Sequence, residues 1–337
     1  MSGFFRFRHN RAEIGAAWEI AGELLRLAEQ HDDAKLWGHR CAGVSLLFQA
    51  EFTDALLHLR RALDHYDPVK HRPPTVSPID TRVHCGTFMA WALRFQGRLG
   101  EAAEHGRRAL DEARELAQPY TLAVALHTNC LLQQARGDWV TVRERAAELV
   151  GLAAEHGFPH LLGTGTFFCG WAMLMAGEAA DQAITKMQRG LAAKRVTGAE
   201  IKVPYYLGLM ANAHAQAGRI SEALHLLNDA LTQVHNTGER WFEAELHRLQ
   251  GEALQALSPE RSRAAEVVFG QALALARRQA ARLWELRAAT SLARLWRDQG
   301  KHTEAHDLLA AVYGWFTEGF DTLDLKEAKS LLEQLKG

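Results

Sequence analysis

Proline and cysteine are both scarce in this chain of 337 residues. Only 8 prolines occur, and four of them fall in one short stretch, at positions 68, 73, 74 and 78. Because proline breaks helices, the rest of the chain is open to long helical segments. The four cysteines, at positions 41, 85, 130 and 169, form no CxxC pair. We therefore expect reduced, buried cysteines and neither a disulfide framework nor a cysteine metal site.

The sequence also lacks an excess of one charge and any long apolar run. The formal net charge is −1, which argues against a nucleic-acid-binding surface over the whole protein. No run approaches the roughly 18 apolar residues that cross a bilayer. The first ten residues have no continuous apolar stretch of the kind found in a signal peptide. These absences predict a soluble, cytoplasmic protein whose partners include neither nucleic acid nor membrane.

Motifs for catalysis, cofactors and metals are missing as well. The sequence has no GxxxxGK[ST] phosphate loop, no HExxH zinc motif and no GxSxG nucleophile elbow. The fragment Gly163–Thr164–Gly165 is better explained by two helices that meet closely. His58 and His65 have no third ligand nearby, and Gly157 and Pro159 break the helix between His156 and His160, so that these two need not share a face. We expect structural or surface histidines, no catalytic residue, no cofactor and no metal.

A spacing of small residues recurs along the chain. Gly97, Ala102 and Ala109 show it, with intervals of five and seven residues. The middle residue of each copy lies at position 55, 102, 142, 183, 223, 265 or 305, so the steps are 47, 40, 41, 40, 42 and 40 residues. Alanines seven apart lie on one helix face and let a second helix approach, while glycine permits the turn between the helices. The repeat therefore predicts stacked pairs of antiparallel helices.

Each repeat unit predicts a helix A, a turn and a helix B. The predicted A helices span 33–49, 80–96, 120–136, 160–176, 201–217, 239–257 and 282–299. The predicted B helices span 52–66, 99–117, 139–156, 179–197, 220–236, 260–280 and 302–317. Asp80, Asp138, Ser221 and Ser258 are predicted helix N-caps, because their side chains accept hydrogen bonds from the first backbone N–H groups.

The domain prediction is one all-α unit over 1–337, a right-handed superhelical solenoid of tetratricopeptide-like (TPR-like) helix pairs. Residues 1–30 form an incomplete first repeat with an orphan B helix, and 31–317 form about seven pairs with a long loop near 67–79. An amphipathic helix over 322–335 is predicted to cap the array. This asymmetry favours a natural C-terminus and an N-terminus cut from a longer array.

Several stretches carry a resemblance to a known class of proteins. They are TGERWFEAELHRLQGEALQAL (237–257), FGQALALARRQAARLWELRAATSLARLWRDQGK (269–301) and YGWFTEGFDTLDLKEAKSLL (313–332). They resemble the C-terminal TPR region of large bacterial proteins that join an adenylate cyclase-type domain, or another effector, to an AAA-type ATPase module. The resemblance covers nearly the whole chain and implies an array that senses a ligand and restrains an upstream module. The catalytic residues of such proteins lie upstream of the array, so none is carried over.

A-helix residues that packing does not require are the candidate binding residues, because A helices line the concave side of such arrays. Aromatic and arginine side chains are typical anchors of recognition. The candidates are Trp37, Arg40, His84, Trp91, Arg94, His127, Phe167, Trp171, Tyr205, Asn212, Glu245, Arg248, Arg287, Arg294 and Arg297. The last three share a helical face and suggest a stripe that binds carboxylate or phosphate. The alternative for each tryptophan is packing between helices.

Three non-catalytic functions fit this sequence. The first is a regulatory interaction array that binds a protein or peptide in its groove, as the C-terminal part of a larger ATPase- or cyclase-type signalling protein. The second is a TPR domain that senses a small molecule, and the third is an oligomerisation or adaptor scaffold. A partner protein, a stabilising metabolite or a defined oligomer would distinguish them.

Overall fold

The computed structural model describes residues 1–71 and 77–336, with the backbone alone described at positions 32, 33 and 259. All regular secondary structure in these residues is helical, with seventeen α-helices and one 3-10 turn, Pro259–Arg261. Part of the long loop predicted near 67–79, residues 72–76, lies outside the described residues. The all-helical repeat prediction is confirmed.

The helices alternate as the repeat predicts. The chain begins with α1 (Ser2–Asn10) and α2 (Ile14–Ala28) and ends with α17 (Leu323–Leu335). The A helices are α3 (Asp32–Phe48), α5 (Thr81–Phe95), α7 (Pro119–Arg136), α9 (Pro159–Met175), α11 (Val203–Gln216), α13 (Glu243–Leu257) and α15 (Arg282–Asp298). The B helices are α4 (Phe52–Asp64), α6 (Leu99–Glu115), α8 (Trp139–Glu155), α10 (Ala180–Val196), α12 (Ile220–Thr237), α14 (Ser262–Arg278) and α16 (His302–Tyr313).

Six of the seven turns between helices A and B contain a left-handed residue. Gly137 follows α7 with φ of 77°, and the N–H of Asp138 returns to the carbonyl of Gln133 at 3.0 Å. This is the Schellman arrangement, which ends a helix and satisfies its last carbonyls. Ala50 takes the same place after α3, with φ of 68°. This turn therefore bears backbone strain that glycine avoids at positions 97, 137, 177, 218 and 300, whereas the turn after α13 has Ser258 in an extended conformation.

Small residues bring the two helices of a pair together. Ala55 and Ala62 of α4 are fully buried, as the repeat predicts. The approach is closest between α9 and α10, where a Cβ atom on Gly190 would lie 2.5 Å from the backbone nitrogen of Phe167. A Cβ on Gly163 would lie 2.7 Å from the backbone nitrogen of Lys194. The glycine fragment at 163–165 thus serves helix packing.

Two of the four predicted N-caps hold their helices. Asp138 accepts from the N–H of Thr141 at 3.1 Å, and Asp80 accepts from the N–H groups of Arg82 and Val83 at 2.8 and 3.1 Å. The prediction for Ser221 is wrong, because α12 begins one residue earlier, at Ile220. Ser258 accepts from the N–H of Glu260 and so begins the 3-10 turn that precedes α14.

The contacts divide the described chain into two compact units. Unit 1 comprises 1–93, 101–203 and 237–239, and unit 2 comprises 94–100, 204–236 and 240–337. Each unit is described below by itself. Within the described part of the chain, no helix combines the length and the apolar character that a membrane-spanning helix requires.

Candidate functional site

A pocket of about 160 Å³ lies in unit 1. One face of each of four successive A helices, α3, α5, α7 and α9, contributes to its lining. His84 and Phe88 on α5 are four residues apart, as are Tyr120 and Val124 on α7, so each pair lies on one side of its helix. Helix α1, Lys194 of α10 and the segment 199–202 complete the wall. The repeat therefore builds a pocket from side chains about forty residues apart in the sequence.

Helix α1 packs against the A helices through its buried side chains. Phe5 and His9 lie one turn apart and are both buried. The His9 ring stacks on Phe5, with 5.6 Å between ring centroids, and meets the edge of Phe48 at 4.6 Å. The carbonyl of Asn10 accepts the backbone N–H groups of Glu200 and Ile201 at 2.8 and 3.0 Å. The nine-residue helix is thus bound by the repeat much as a short peptide would be.

Arg40 is a buried cation of the pocket with three neighbouring side chains. Its side chain is buried, and its Nε donates to Nδ1 of His84 at 3.3 Å while Nη1 donates to the hydroxyl of Thr81 at 3.1 Å. The guanidinium lies over the Trp37 ring, 5.3 Å from its centroid. These contacts hold Arg40 in one orientation through neutral partners and leave its positive charge in place.

Two lysines, Lys194 and Lys202, also line the pocket. The ammonium of Lys194 donates to the carbonyl of Ala199. The ammonium of Lys202 lies over the rings of Phe48 and Trp91, at 5.3 and 5.5 Å from their centroids. Burial, reinforced by the charge of Lys202, lowers the pKa of Lys194 to about 7. Burial also lowers the pKa of Lys202 to about 8, against the opposing effect of Glu239.

Four histidines line the same pocket: His9, His84, His127 and His160. Burial, followed by the charge of Lys202, lowers the pKa of His9 to about 3. Burial and the charge of Lys194 lower the pKa of His160 to about 4, and burial lowers the pKa values of His84 and His127 strongly. All four are therefore neutral near pH 7. Among the described residues, no three His, Cys, Asp or Glu side chains are placed to hold a metal ion.

Four of the candidate binding residues line this pocket: Trp37, Arg40, His84 and His127. Three further candidates are buried in its surroundings or between helices. Trp91 is 3 % exposed and lies under Lys202, whereas Phe167 is fully buried and Trp171 is 4 % exposed. The backbone of Phe167 faces Gly190 of α10. Phe167 and Trp171 therefore lie in the packing between helices and do not line the pocket.

In unit 2, three candidates form a buried network of charges. Glu245 accepts hydrogen bonds from Arg248, at 2.7 and 2.9 Å, and from Arg287, at 3.1 Å. Arg287 also donates to both carboxylate oxygens of Asp324 on α17, at 2.7 and 3.1 Å. Burial disfavours the charge of Glu245, but Arg248 and Arg287 outweigh it and lower its pKa. The network joins α13, α15 and α17.

The predicted arginine stripe on α15 contacts the chain's own last helix. Besides the Arg287–Asp324 pair, Arg294 donates to Glu327 at 2.7 Å and Arg297 donates to Gln334 at 2.7 Å. In this structure α17 supplies carboxylates to Arg287 and Arg294 and an amide oxygen to Arg297.

The remaining candidates of unit 2 lie in packed surroundings. Tyr205 is 3 % exposed and packs against Trp241 and Phe242, with ring centroids 5.4 and 5.0 Å apart. Arg94 is 5 % exposed. Asn212 is partly exposed, and its side-chain carbonyl accepts from Gln216 one turn later, at 3.4 Å.

Sequence reasoning missed the lysines of the pocket and the two buried residues of α1. It counted A-helix positions only, and Lys194 belongs to a B helix. One signal was present, since Lys194 continues the apolar stripe Ala183, Met187 and Leu191 of α10. A cation on a buried stripe indicates a specific polar neighbour or ligand. No comparable signal marks Phe5 and His9, which are buried only because α1 packs on distant helices.

Comparisons with known proteins establish the fold alone. No protein-family model matches the chain. An uncharacterized protein of Rhizobium meliloti (strain 1021) is 29% identical over 208 residues, which cover 61% of this chain and 20% of that protein. The chain thus matches about a fifth of that relative's length.

Solved structures with a similar fold include two Rap proteins. One is the Rap conjugation gene regulator of the plasmid pLS20 in complex with the Phr* peptide, with a TM-score of 0.61 and 12% identity, covering 92% of this chain and 77% of that chain. The other is a Rap protein complexed with Competence and Sporulation Factor, with a TM-score of 0.58 and 11% identity, covering 99% of this chain and 96% of that chain. The chain has the fold of TPR-like helical repeat proteins.

Proposed function

We propose that this protein is a non-catalytic interaction array that binds a protein segment or peptide on the A-helix surface of unit 1. The observation that carries the proposal is the binding of α1, a nine-residue segment whose Phe5 and His9 are buried on that surface. The surface offers tryptophan, phenylalanine and arginine side chains, which anchor most protein–protein contacts. One of the two Rap structures is a complex with the Phr* peptide and the other is a complex with Competence and Sporulation Factor, and the shared fold supports a similar use of this surface.

Trp37 tests this binding surface. It lines the pocket, is partly exposed and stacks under Arg40, so a peptide on this surface would cover it. Peptides selected by phage display on the full chain would be synthesised, and their affinities measured by fluorescence anisotropy. Trp37→Ala should weaken binding about 30-fold, the loss expected for a central aromatic anchor.

Trp18→Ala is the matched control. Trp18 lies on α2, is 38 % exposed and does not line the pocket. It should leave the affinity unchanged within about twofold, as expected for residues outside a hot spot. Selected peptides that bind both variants as tightly as the parent protein would contradict the proposed surface.

The array is further proposed to be the C-terminal regulatory part of a larger ATPase- or adenylate cyclase-type signalling protein. The resemblance of 237–257 and 269–301 to such proteins supports this, as does the match to a fifth of a much longer relative. The reading frame upstream of Met1 in the natural gene tests it. An upstream stop codon followed closely by a ribosome-binding site would contradict it.

A further inference from the structure

The pocket beneath α1 has an unbalanced charge. Four cationic side chains line it, those of Arg6, Arg40, Lys194 and Lys202, and none of the described residues in this lining carries a carboxylate. The carboxylates that act on these cations, those of Glu200, Glu239 and Asp80, lie outside the lining. Glu239 accepts the backbone N–H of Lys202, and Asp80 accepts the hydroxyl of Tyr66 at 2.6 Å besides capping α5. Because buried charges in proteins are usually paired, cations that line a cavity favour an anion in the space between them.

The pocket wall also contains a buried imidazole nitrogen, which donates to an anion in the tautomer that carries the proton there. Nδ1 of His9 is buried and has no hydrogen-bond partner among the described residues. Buried polar atoms in folded proteins almost always have a partner. His9 is 7 % exposed and lines the pocket, so this unpartnered atom belongs to a residue of the pocket wall.

The size of the pocket suits a small ligand. A phosphate group or a small dicarboxylate fits its volume of about 160 Å³. We propose that the pocket binds a small anion, phosphate or carboxylate, between Arg40 and the two lysines, with α1 closing over it. The inference does not require a peptide, because the anion is either a free compound or a group on a bound segment.

The protonation of the two lysines gives a measurement that distinguishes anion binding from a purely structural role of these residues. Burial holds the pKa values of Lys194 and Lys202 near 7 and 8. An anion beside them favours their charged forms and raises both pKa values. Binding at pH 8 therefore takes up protons from the buffer, even though the anion itself is already ionised.

Calorimetric titration of the full chain at pH 8 tests the inference with inorganic phosphate and with succinate as probes. At least one probe should bind saturably, and the heat should differ between buffers of different ionisation enthalpy in the direction of proton uptake. Lys202→Gln should weaken binding at least about tenfold, because a charge-assisted contact is lost. Lys70→Gln, an equal change of charge at an exposed lysine, should leave it within about twofold.

A second variant covers the case in which Lys202→Gln does not fold. Arg6 lines the pocket from α1 but is exposed, so Arg6→Gln should fold normally and weaken binding by several-fold.

An acetylated, amidated Ala-phosphoserine-Ala peptide, compared with free phosphate, distinguishes the two sources of the anion, and tighter binding of either supports the inference. No saturable binding of any probe, or equal affinity in the lysine variants, would overturn it. Binding of display-selected peptides is measured separately, so either proposal can fail alone.

Discussion

The backbone N–H of Lys202 donates to both carboxylate oxygens of Glu239, at 3.1 and 2.9 Å. Glu239 is 1 % exposed, and Lys202 has a φ of 67°, in the left-handed region that favours glycine. The carboxylate therefore holds a strained turn in place and sets the position of the Lys202 side chain over Phe48 and Trp91.

Glu239→Gln should both loosen this turn and lower the pKa of Lys202. The amide has one acceptor oxygen and no charge, so we expect a loss of about 1–3 kcal/mol in the free energy of unfolding. Burial lowers the pKa of Lys202 to about 8, and the negative charge of Glu239 partly offsets this effect. Removal of that charge should therefore bring the pKa below about 8. Urea unfolding and NMR titration of methylated lysines measure the two effects. An unchanged lysine titration would contradict the assignment.

The histidines of unit 1 should make the protein sensitive to acid. The pKa values of His9 and His160 in the folded protein, about 3 and about 4, lie below the value of about 6.5 in an unfolded chain. Below pH 6.5 the unfolded chain binds more protons, so stability is complete above that pH and is lost as the pH falls towards 4. Each such group contributes a slope of up to about 1.4 kcal/mol per pH unit.

Denaturant unfolding at pH 7, 6 and 5 measures this slope. His160→Gln removes one titrating group and should make the slope shallower. The matched control is His225→Gln, because the His225 side chain is 79% exposed. Equal slopes in the two variants would argue against the buried, neutral state of His160.

The charge network of unit 2 should respond strongly to the loss of its centre. Glu245→Ala leaves Arg248 and Arg287 without their shared buried carboxylate, and we expect a loss of about 3–5 kcal/mol in the free energy of unfolding. Glu327→Ala breaks the Arg294–Glu327 pair, whose side chains are 38% and 44% exposed. That change should cost at most about 1 kcal/mol. Thermal unfolding of both variants tests the contrast, which would be refuted by equal shifts.

Two glycine-to-alanine changes should have opposite effects. A methyl group on Gly190 would meet backbone atoms of Phe167 and Gly163 at 2.5 and 2.6 Å, so Gly190→Ala must push α9 and α10 apart. Gly22 lies inside α2, and a methyl group there meets nothing within 4 Å. Gly22→Ala should stabilise the protein by about 0.5–1 kcal/mol, and Gly190→Ala should destabilise it by more than that. Circular dichroism melting curves decide the signs.

Much of the local structure could be predicted from the repeat. Helix α7 was predicted at 120–136 and spans Pro119–Arg136, because the spacing of small residues reports the turn and the packed face directly. Asp80 and Asp138 could be predicted as caps because capping depends on residues two or three positions away. Helix α13 was placed at 239–257 but begins at Glu243, since the turn that holds Glu239 against Lys202 is a tertiary contact.

The candidate site was predictable only in part. Trp37, Arg40, His84 and His127 could be found because A-helix faces repeat with the array. Lys194, Lys202 and His9 could not be found in this way, because their surroundings come from helices far away in the sequence.

The sequence by itself determined a TPR-like array of helix pairs and the boundaries of most helices, because periodicity, turns and caps act over a few residues. Only the tertiary structure decided that α1 packs on the A helices of unit 1, that cations gather beneath it, and that α17 supplies carboxylates to the arginines of α15. Those outcomes depend on which helix faces come into contact after the chain has folded. A local sequence pattern cannot predict contacts between residues that are far apart in the sequence.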